Sequence, residues 1–560
     1  MKSDFELEQM NKFQKAIHYL REFGLVYTIR KALKKFGVPL RDEPAYMNWC
    51  KRVDSDKQEQ NRQKADKSLL TVFTVIIEDP SSETALKNQT YPNFHAVYCS
   101  PKTTLKDLAQ LASGDYVLFL GKDLMLRPEL LYKTASCIAE KSADLIYFDE
   151  DNTDGSKRAR PYFKPGKSRQ LLLNFPYLGA CYAVSKDLIC KMADLTYAQD
   201  ISITENGWYA VALEAFELSQ KTIRIPSVLF SNRVTRDQLN LFIRPQGKTV
   251  KRVLEQYVIH HSLDATVRSL DVDGFCHLVY HREKDPLVSI IIPNKDHTQD
   301  LLLCLNSLKV NNSYQNFEVI IAENNSEEKE TFLVYEDLMK QDERIQVVTW
   351  KGEFNYSAIN NFAVTFAKGE LLLFLNNDTE IINDAALEEL VSAALLPDSG
   401  GSGAMLYYED DTIQHGGIIL GMGGFAAHAL WSLRDKDETL YPYSLCEREM
   451  SGATGACLMV RRSVFDEVKG MGEEFVVALN DVDFCYKIRK AGYEIIFNPY
   501  AKLYHYESKS RGYEDTAEKQ ARFQKEIDRL QSKWEAELKA GDPYYNPNLT
   551  LHRADYSMDI

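Results

Sequence analysis

Short, almost purely apolar runs alternate with longer amphipathic stretches along this chain, and the alternation occurs twice. In the first series, 72–77, 94–98, 116–120 and 143–148 read as buried strands separated by segments of helical periodicity. In the second series, 288–292, 317–321, 345–349 and 371–375 are nearly continuous in Ile, Leu and Val, as parallel strands covered on both faces are. Strands that alternate with helices predict an α/β sheet in each half.

The two series also resemble each other in detail. Gly114-Asp-Tyr-Val-Leu-Phe-Leu-Gly-Lys-Asp123 aligns with Gly369-Glu-Leu-Leu-Leu-Phe-Leu-Asn-Asn-Asp378. Thr90-Tyr-Pro-Asn-Phe94 parallels Ser313-Tyr-Gln-Asn-Phe317, and Gly179-Ala-Cys-Tyr-Ala-Val parallels Gly455-Ala-Cys-Leu-Met-Val. Three matches in one order indicate a duplicated domain. Phe317 to Gly369 spans 52 residues and Phe94 to Gly114 only 20, so the first copy is expected to lack a strand and a helix. Between the copies, 247–263 reads as a helix and 275–281 as a strand. The polar stretch 54–67 reads as a linker or exposed helix, and a charged helix runs from about 516 to 540, before an extended strap that starts at Asp542.

A chain of 560 residues exceeds one core and suggests two or three domains. The net charge of −14 argues against a nucleic-acid partner, which calls for a basic surface. The 10 cysteines form no C-x-x-C pair and read as reduced, mostly buried thiols of a cytoplasmic protein. No apolar run is long enough to span a membrane, and the first residues do not read as a signal peptide. Against the overall acidity, 12–41 holds eight basic residues and one acid, Glu22, interleaved with apolar positions at helical spacing. Such a helix either lies on an anionic membrane surface or packs on the neighbouring domain with its cations in water.

Candidate chemistry collects where strands end. Asn376-Asn377-Asp378 follows the apolar run 371–375 and so falls at the carboxyl edge of a parallel sheet, where α/β proteins bind ligands. Asp378 suits Mg²⁺ or Mn²⁺ shared with a diphosphate, with Asn376 bonding a ribose or sugar; equally, Asn and Asp make turns. Glu323 follows another strand and could receive a pyrimidine base or a ribose. Asp481 and Asp483 open a helix that ends at Gly492, where acids are routine caps, but an ionised Asp beside a cleft can also act as a general base. His505 could complete a metal shell, and Lys509 with Arg511 could clamp a diphosphate. The glycine clusters 400–403 and 421–424 do not follow the first strand, which disfavours a dinucleotide fingerprint.

Taken together, the motifs resemble the family 2 glycosyltransferases of the GT-A fold. The matching stretches are Val288-Ser-Ile-Ile-Ile-Pro-Asn, Val319-Ile-Ile-Ala-Glu-Asn-Asn-Ser, Leu373-Phe-Leu-Asn-Asn-Asp-Thr-Glu and Asn480-Asp-Val-Asp-Phe. Phe354-Asn-Tyr-Ser-Ala-Ile-Asn-Asn361, Thr412-Ile-Gln-His-Gly-Gly, Thr454-Gly-Ala-Cys-Leu-Met-Val-Arg-Arg and His505-Tyr-Glu-Ser-Lys-Ser-Arg-Gly look like the tandem-domain bacterial enzymes of rhamnan and O-antigen synthesis. The implied fold is α/β, with two tandem GT-A-like, Rossmann-like domains of mostly parallel sheet. The expected boundaries are a basic N-terminal helical region at 1–67, a degenerate GT-A-like domain at 68–235, a connector at 236–285, a catalytic domain at 286–515, and a helix with tail at 516–560.

The resemblance also implies roles. The base-side acid falls on Glu323, the metal-associated D-x-D on Asn376-Asn377-Asp378, and the catalytic base on Asp481. Nucleotide-sugar contacts are implied at Pro293, Glu323, Asn325, Asn355, Asn360, Asn376, Asn377, Lys509 and Arg511, metal contacts at Asp378 and His505, and acceptor contacts at His415, Trp431 and Asp483. In the first copy Gly121-Lys122 replaces the two asparagines, and Glu205-Asn-Gly-Trp-Tyr-Ala places Trp208 and Ala210 where the family has acids. The implied activity is inverting transfer of a sugar, rhamnose among the candidates, from a dTDP- or UDP-sugar to a growing lipid-linked cell-surface glycan. The implied setting is the inner face of a bacterial plasma membrane, with Mg²⁺ or Mn²⁺ as cofactor and a second copy of the chain as a candidate partner. The alternative is a non-catalytic carbohydrate-binding or scaffold protein. A nucleotidyltransferase is disfavoured, because Pro293-Asn-Lys-Asp-His lacks a glycine-rich triphosphate loop.

Overall fold

The computed structural model describes residues 43–560, apart from 79–81, 101, 204–207, 244, 436, 507–515 and 560. The basic stretch 12–41, Glu205, Lys509 and Arg511 therefore lie outside the described residues.

Each apolar series forms a sheet. In the first, the strand order is Phe94–Tyr98, Phe73–Ile77, Tyr116–Leu120, Cys181–Ser185, Leu145–Thr153, Thr222–Arg233 and Leu124–Leu126. In the second, it is Ile345–Trp350, Phe317–Asn324, Val288–Asn294, Leu371–Leu375, Cys457–Arg461, Ser399–Tyr407, Glu494–His505 and Thr379–Ile381. Apart from Ile345–Trp350 the two orders correspond strand for strand. In both, the parallel set is followed by one antiparallel strand, Cys181–Ser185 or Cys457–Arg461, beyond which parallel pairing resumes. The first sheet goes from its edge strand Phe94–Tyr98 to Tyr116–Leu120 through one helix, Leu105–Leu111. The second inserts Lys329–Gln341 and Ile345–Trp350 before the corresponding helix Tyr356–Val364, which is the length difference seen in the sequence.

The central strands are hydrophobic throughout because helices cover both faces. Leu371–Leu375 and Phe73–Ile77 are buried at every position, and each such Leu, Ile or Val contributes roughly 1.5–3 kcal/mol by leaving water. One strand is much longer than its apolar run suggests. The pattern breaks at Asn498-Pro499, yet Glu494–His505 continues, because its pairing with Ser399–Tyr407 jumps from Asn498 to Lys502 across a bulge that absorbs the proline. That continuation carries His505 to the sheet edge.

The stretch 54–67 contains the helix Lys57–Ala65, N-capped by Asp56. Gly247–His260 and the hairpin Ala265–Ser269 with Cys276–Tyr280 connect the sheets. Ser168, which caps the helix Arg169–Asn174, hydrogen-bonds the buried Glu449 of the second sheet, and Glu449 also accepts from the Arg169 and Gln170 N–H groups. The C-terminal tail crosses both halves: Leu420 N–H donates to Asp542 at 2.8 Å, and Asn546 donates to the buried Asp149 of the first sheet at 2.9 Å. All 10 cysteines are free, and nine of them are buried. Among the described residues, no helix is long and apolar enough to cross a membrane.

Candidate active site

Three chain segments meet at the carboxyl end of Leu371–Leu375. Asn376 N–H donates to Ala456 C=O at 3.0 Å and the Asn377 amide to Asn294 Oδ1 at 2.6 Å, so the first two residues of the triplet are tied to the sheet. Next, Tyr506 N–H donates to Asp378 C=O at 2.9 Å, and Thr379 pairs with His505 across an antiparallel ladder. The pairing brings the Asp378 carboxylate and His505 Nε2 to 3.2 Å, with the Asn376 amide also 3.2 Å from that nitrogen. His505 Nδ1 donates to Gln414 Oε1 at 2.7 Å, a contact that turns Nε2 toward Asp378.

Asp481 approaches from the opposite wall, in the first turn of the helix Asn480–Lys490. Its oxygens accept from Gly455 N–H at 3.1 Å and Val482 N–H at 2.8 Å. Tyr356 links the walls. Its hydroxyl donates to Gly455 C=O at 2.8 Å, and burial, then the negative charges of Asp481 and Asp378, hold the phenol well above its ordinary range. Both carboxylates thus act on one tyrosine. The turn before the helix is strained: Leu479 sits at φ 58°, a left-handed conformation costly for a leucine. Glu526 of the helix Ala517–Lys533 secures that turn by accepting from the N–H groups of Val476, Val477 and Ala478 at 2.8 to 3.0 Å. Tyr356, Gln414 and Glu526 escaped sequence reasoning. Tyr356 lies inside a quoted motif, but Glu526 looks like any acid of a charged helix, and only its distant partners mark it.

Several expected site residues stand elsewhere. Asp483 is fully buried and bonds Trp534 Nε1 at 2.9 Å and Lys533 Nζ at 2.7 Å, so it anchors the C-terminal helix and not an acceptor. His415 is also fully buried. Its Nε2 accepts from Gly417 and Thr454 N–H at 3.3 Å, and burial followed by His428, Arg448 and His505 pushes its pKa far below the usual value. It shapes the loop that presents Gly455 and cannot touch an acceptor. Glu323 is 2 % exposed, and its oxygens are taken by Ser326 and by Tyr335, so it pins its own loop. Asn355 caps the helix Tyr356–Val364 and donates to Glu473 C=O at 2.8 Å, and Asn360 is buried within that helix, bonding Tyr356 C=O. Half-buried Pro293 and exposed Asn325 remain at the sheet edge, the latter at φ 59° and bonded to Gly352 C=O at 2.8 Å. Trp431 is 39 % exposed.

The donor set fits a small hard cation. A carboxylate oxygen and an imidazole nitrogen 3.2 Å apart have the spacing of adjacent ligands on one ion, since metal–ligand distances near 2.1 Å at about a right angle imply ~3 Å. Among the described residues no cluster of three His, Cys, Asp or Glu could hold a metal alone. Such a site needs phosphate oxygens and water to fill the shell, the usual manner of Mg²⁺.

A mixed sheet thus brings an acid, an imidazole and a helix-borne aspartate together beyond the end of Leu371–Leu375. Comparison with known proteins adds that residues 289–469 match the model of Glycosyl transferase family 2. The chain is 34% identical over 461 residues to the uncharacterised protein y4gI of Sinorhizobium fredii, covering 80% of this chain and 50% of that protein. It is 32% identical over 448 residues to O-antigen biosynthesis protein RfbC of Myxococcus xanthus, covering 79% and 34%. It is 29% identical over 139 residues to the N-acetylglucosaminyl-diphospho-decaprenol L-rhamnosyltransferase of Mycobacterium tuberculosis, covering 23% and 43%. The chain spans half or less of the length of these relatives.

Proposed function

We propose that the second half of the chain is an inverting glycosyltransferase that extends a cell-surface glycan from a nucleotide-sugar. One observation carries the reading: Asp481 and the Asp378–His505 pair converge on one loop within the stretch that matches a glycosyltransferase family, since Asp481 accepts from Gly455 N–H at 3.1 Å and Asn376, two residues before Asp378, donates to Ala456 C=O at 3.0 Å. The acceptor hydroxyl loses its proton to Asp481 as its oxygen attacks the anomeric carbon. The new C–O bond forms while the bond to the diphosphate oxygen breaks on the opposite face, inverting the centre, and the electron pair leaves with the nucleoside diphosphate. Asp378 and His505 would hold a divalent cation, Mn²⁺ or Mg²⁺, which supplies charge neutralisation to that leaving group. Asn376 and Asn377, with Pro293 and Asn325 at the neighbouring strand ends, line the donor side.

Two relatives, an O-antigen biosynthesis protein and an N-acetylglucosaminyl-diphospho-decaprenol L-rhamnosyltransferase, support rhamnose as the sugar transferred and a lipid-linked glycan as acceptor. The basic amphipathic stretch 12–41 supports attachment to an anionic membrane surface. The first half is read as a partner without chemistry. Incubation with UDP-, dTDP- and GDP-sugars and Mn²⁺ or Mg²⁺, with and without acceptor lipid, tests the proposal by nucleoside diphosphate release. Release with one donor is expected. None with any donor would favour a non-catalytic scaffold, the reading that the amide at Asn376, in place of an acid, supports.

A further inference from the structure

From Asp378 outward, the sheet edge carries a row of aromatic side chains that the chemistry above does not use. Tyr506 follows His505 and donates its hydroxyl to Glu380; Tyr504 precedes His505, and the two rings lie 6.2 Å apart, inclined by 31°. Tyr504 is paired across the ladders with Glu380 on one side and Tyr407 on the other, and its hydroxyl donates to Asp411 at 2.6 Å. Asp411 closes a turn onto Tyr408 C=O at 3.0 Å, and the Tyr408 hydroxyl accepts from Trp431 Nε1 at 2.8 Å. These contacts form one unbroken path from Tyr506 to Trp431.

The far end of the path is held out at a cost. Leu430 and Ser432, on either side of Trp431, both have left-handed φ values, 63° and 58°. Such strain persists only where the surroundings impose it. Here Leu430 is fully buried and donates its N–H to Ala554 C=O of the C-terminal tail at 2.9 Å, while Ser432 N–H donates to Ile413 C=O at 2.7 Å. The indole between these anchors is left 39 % exposed. A large aromatic displayed by a strained, doubly anchored turn marks a binding surface.

We propose that Trp431, Tyr408, Tyr504 and Tyr506, edged by Glu380 and Asp411, form an extended subsite for a neutral oligosaccharide, so that several sugars of the acceptor are gripped behind the reacting one. The proposal rests on the transferase reading for its direction, since the path ends at Asp378. Sugar rings present a C–H face that packs on an aromatic face, and edge hydroxyls that donate in pairs to carboxylates. Glu409 stands within electrostatic reach of Tyr506, and Asp410 adjoins Asp411. This acidic border repels phosphate- or uronate-bearing polymers and so selects a neutral chain.

The test titrates the full chain with neutral rhamno-oligosaccharides, from mono- to hexasaccharide, by isothermal calorimetry, with oligogalacturonides as the acidic counterpart. Affinity is expected to rise with length, by about tenfold or more between mono- and tetrasaccharide, a gain of ~1.4 kcal/mol. Trp431→Ala and Tyr504→Ala should each erase most of that gain, and Tyr504→Phe, which keeps the ring, should retain most of it. Equal affinity at every length, unchanged hexasaccharide binding in both alanine variants, or preference for the acidic chains would overturn the subsite. Binding of UDP and dTDP with Mn²⁺, measured on the same variants, should stay within about twofold of the parent. Length-dependent glycan binding without any nucleotide binding would support the subsite and count against the transferase reading alone.

Discussion

At the end of Tyr116–Leu120 the first sheet presents Gly121-Lys122-Asp123, and at the matching end of Leu371–Leu375 the second presents Asn376-Asn377-Asp378. The backbones agree: Gly121 N–H meets Ala180 C=O at 2.8 Å, as Asn376 N–H meets Ala456 C=O at 3.0 Å. The side chains differ around a shared aspartate, Asp123 in the first sheet and Asp378 in the second. A side chain at Gly121 would collide with Ala180 at 2.8 Å and crowd Trp208 Nε1 at 3.3 Å. Trp208, 4 % exposed, stands at the start of the helix Tyr209–Leu218 as Asp481 stands at the start of Asn480–Lys490. Leu124 pairs with Asn232 where Thr379 pairs with His505, so an amide replaces the imidazole, and Lys122 turns to Glu78 at 3.2 Å. Over Gly179 lies the buried pair Lys164–Glu150 at 2.7 Å, and over the matching Gly455 lies Tyr356. One sheet has packed its crevice with an indole and an ion pair; the other keeps carboxylates there. The scaffold survives because its apolar strands are retained, and the chemistry depends on a few loop positions that can be refilled without disturbing them.

The largest expected effect breaks the comparison outright. Asp481→Asn should lower nucleoside diphosphate release by about 10²–10⁴-fold, the usual worth of a positioned base, with an unchanged melting profile. Release that survives at the parental rate would mean that the second crevice is not the reacting one. Trp208→Ala should do the reverse: destabilise by about 3–5 kcal/mol through the cavity it leaves, while turnover per folded molecule stays at the parental value. Urea unfolding alongside donor turnover separates the two.

Gln414→Ala sharpens the contrast at the imidazole. It removes the group that orients His505, and outer-shell losses of this kind weaken metal affinity by about 10–100-fold, read as a shift in the Mn²⁺ concentration that supports release. A pH effect concerns Asp149, which lies where the second sheet has Met405 and which burial pushes up to about 6. Since the folded protein holds this proton more tightly than the unfolded chain, stability falls as pH rises from about 4 through 6, by up to ~3 kcal/mol at 1.36 kcal/mol per pH unit. Melting of the parent and of Asp149→Asn across that range should therefore diverge, with the variant gaining on the parent as pH rises.

Much of the fold was legible along the chain. The parallel strands at the start of each sheet lie on apolar runs, and the missing strand and helix of the first sheet were visible as a length difference, but the interior strand Ser399–Tyr407 reads only as a glycine cluster. Legibility failed at Asn498-Pro499, where a breaker is absorbed by a bulge, and therefore at the placement of His505. The site was legible in part. Asp378, Asp481, Glu323, Asn355, Asn360 and His415 all stand out by motif, and only the structure shows that Glu323, Asn355, Asn360 and His415 make their hydrogen bonds within their own loops and helices or to neighbouring loops.

Strand content, duplication and the loss in the first copy follow from the sequence by itself, because a run of apolar residues must be buried wherever it lies and the chain records its length directly. Which acid faces the crevice is another matter. Asp481 and Asp483 are two residues apart, and in a helix that spacing turns them to different sides. One meets Gly455, and the other meets Lys533 and Trp534, some fifty residues further along. Those partners arrive only when the C-terminal helix docks, so tertiary structure alone sorts the two carboxylates, one onto the Gly455 loop and one into an anchor for that helix.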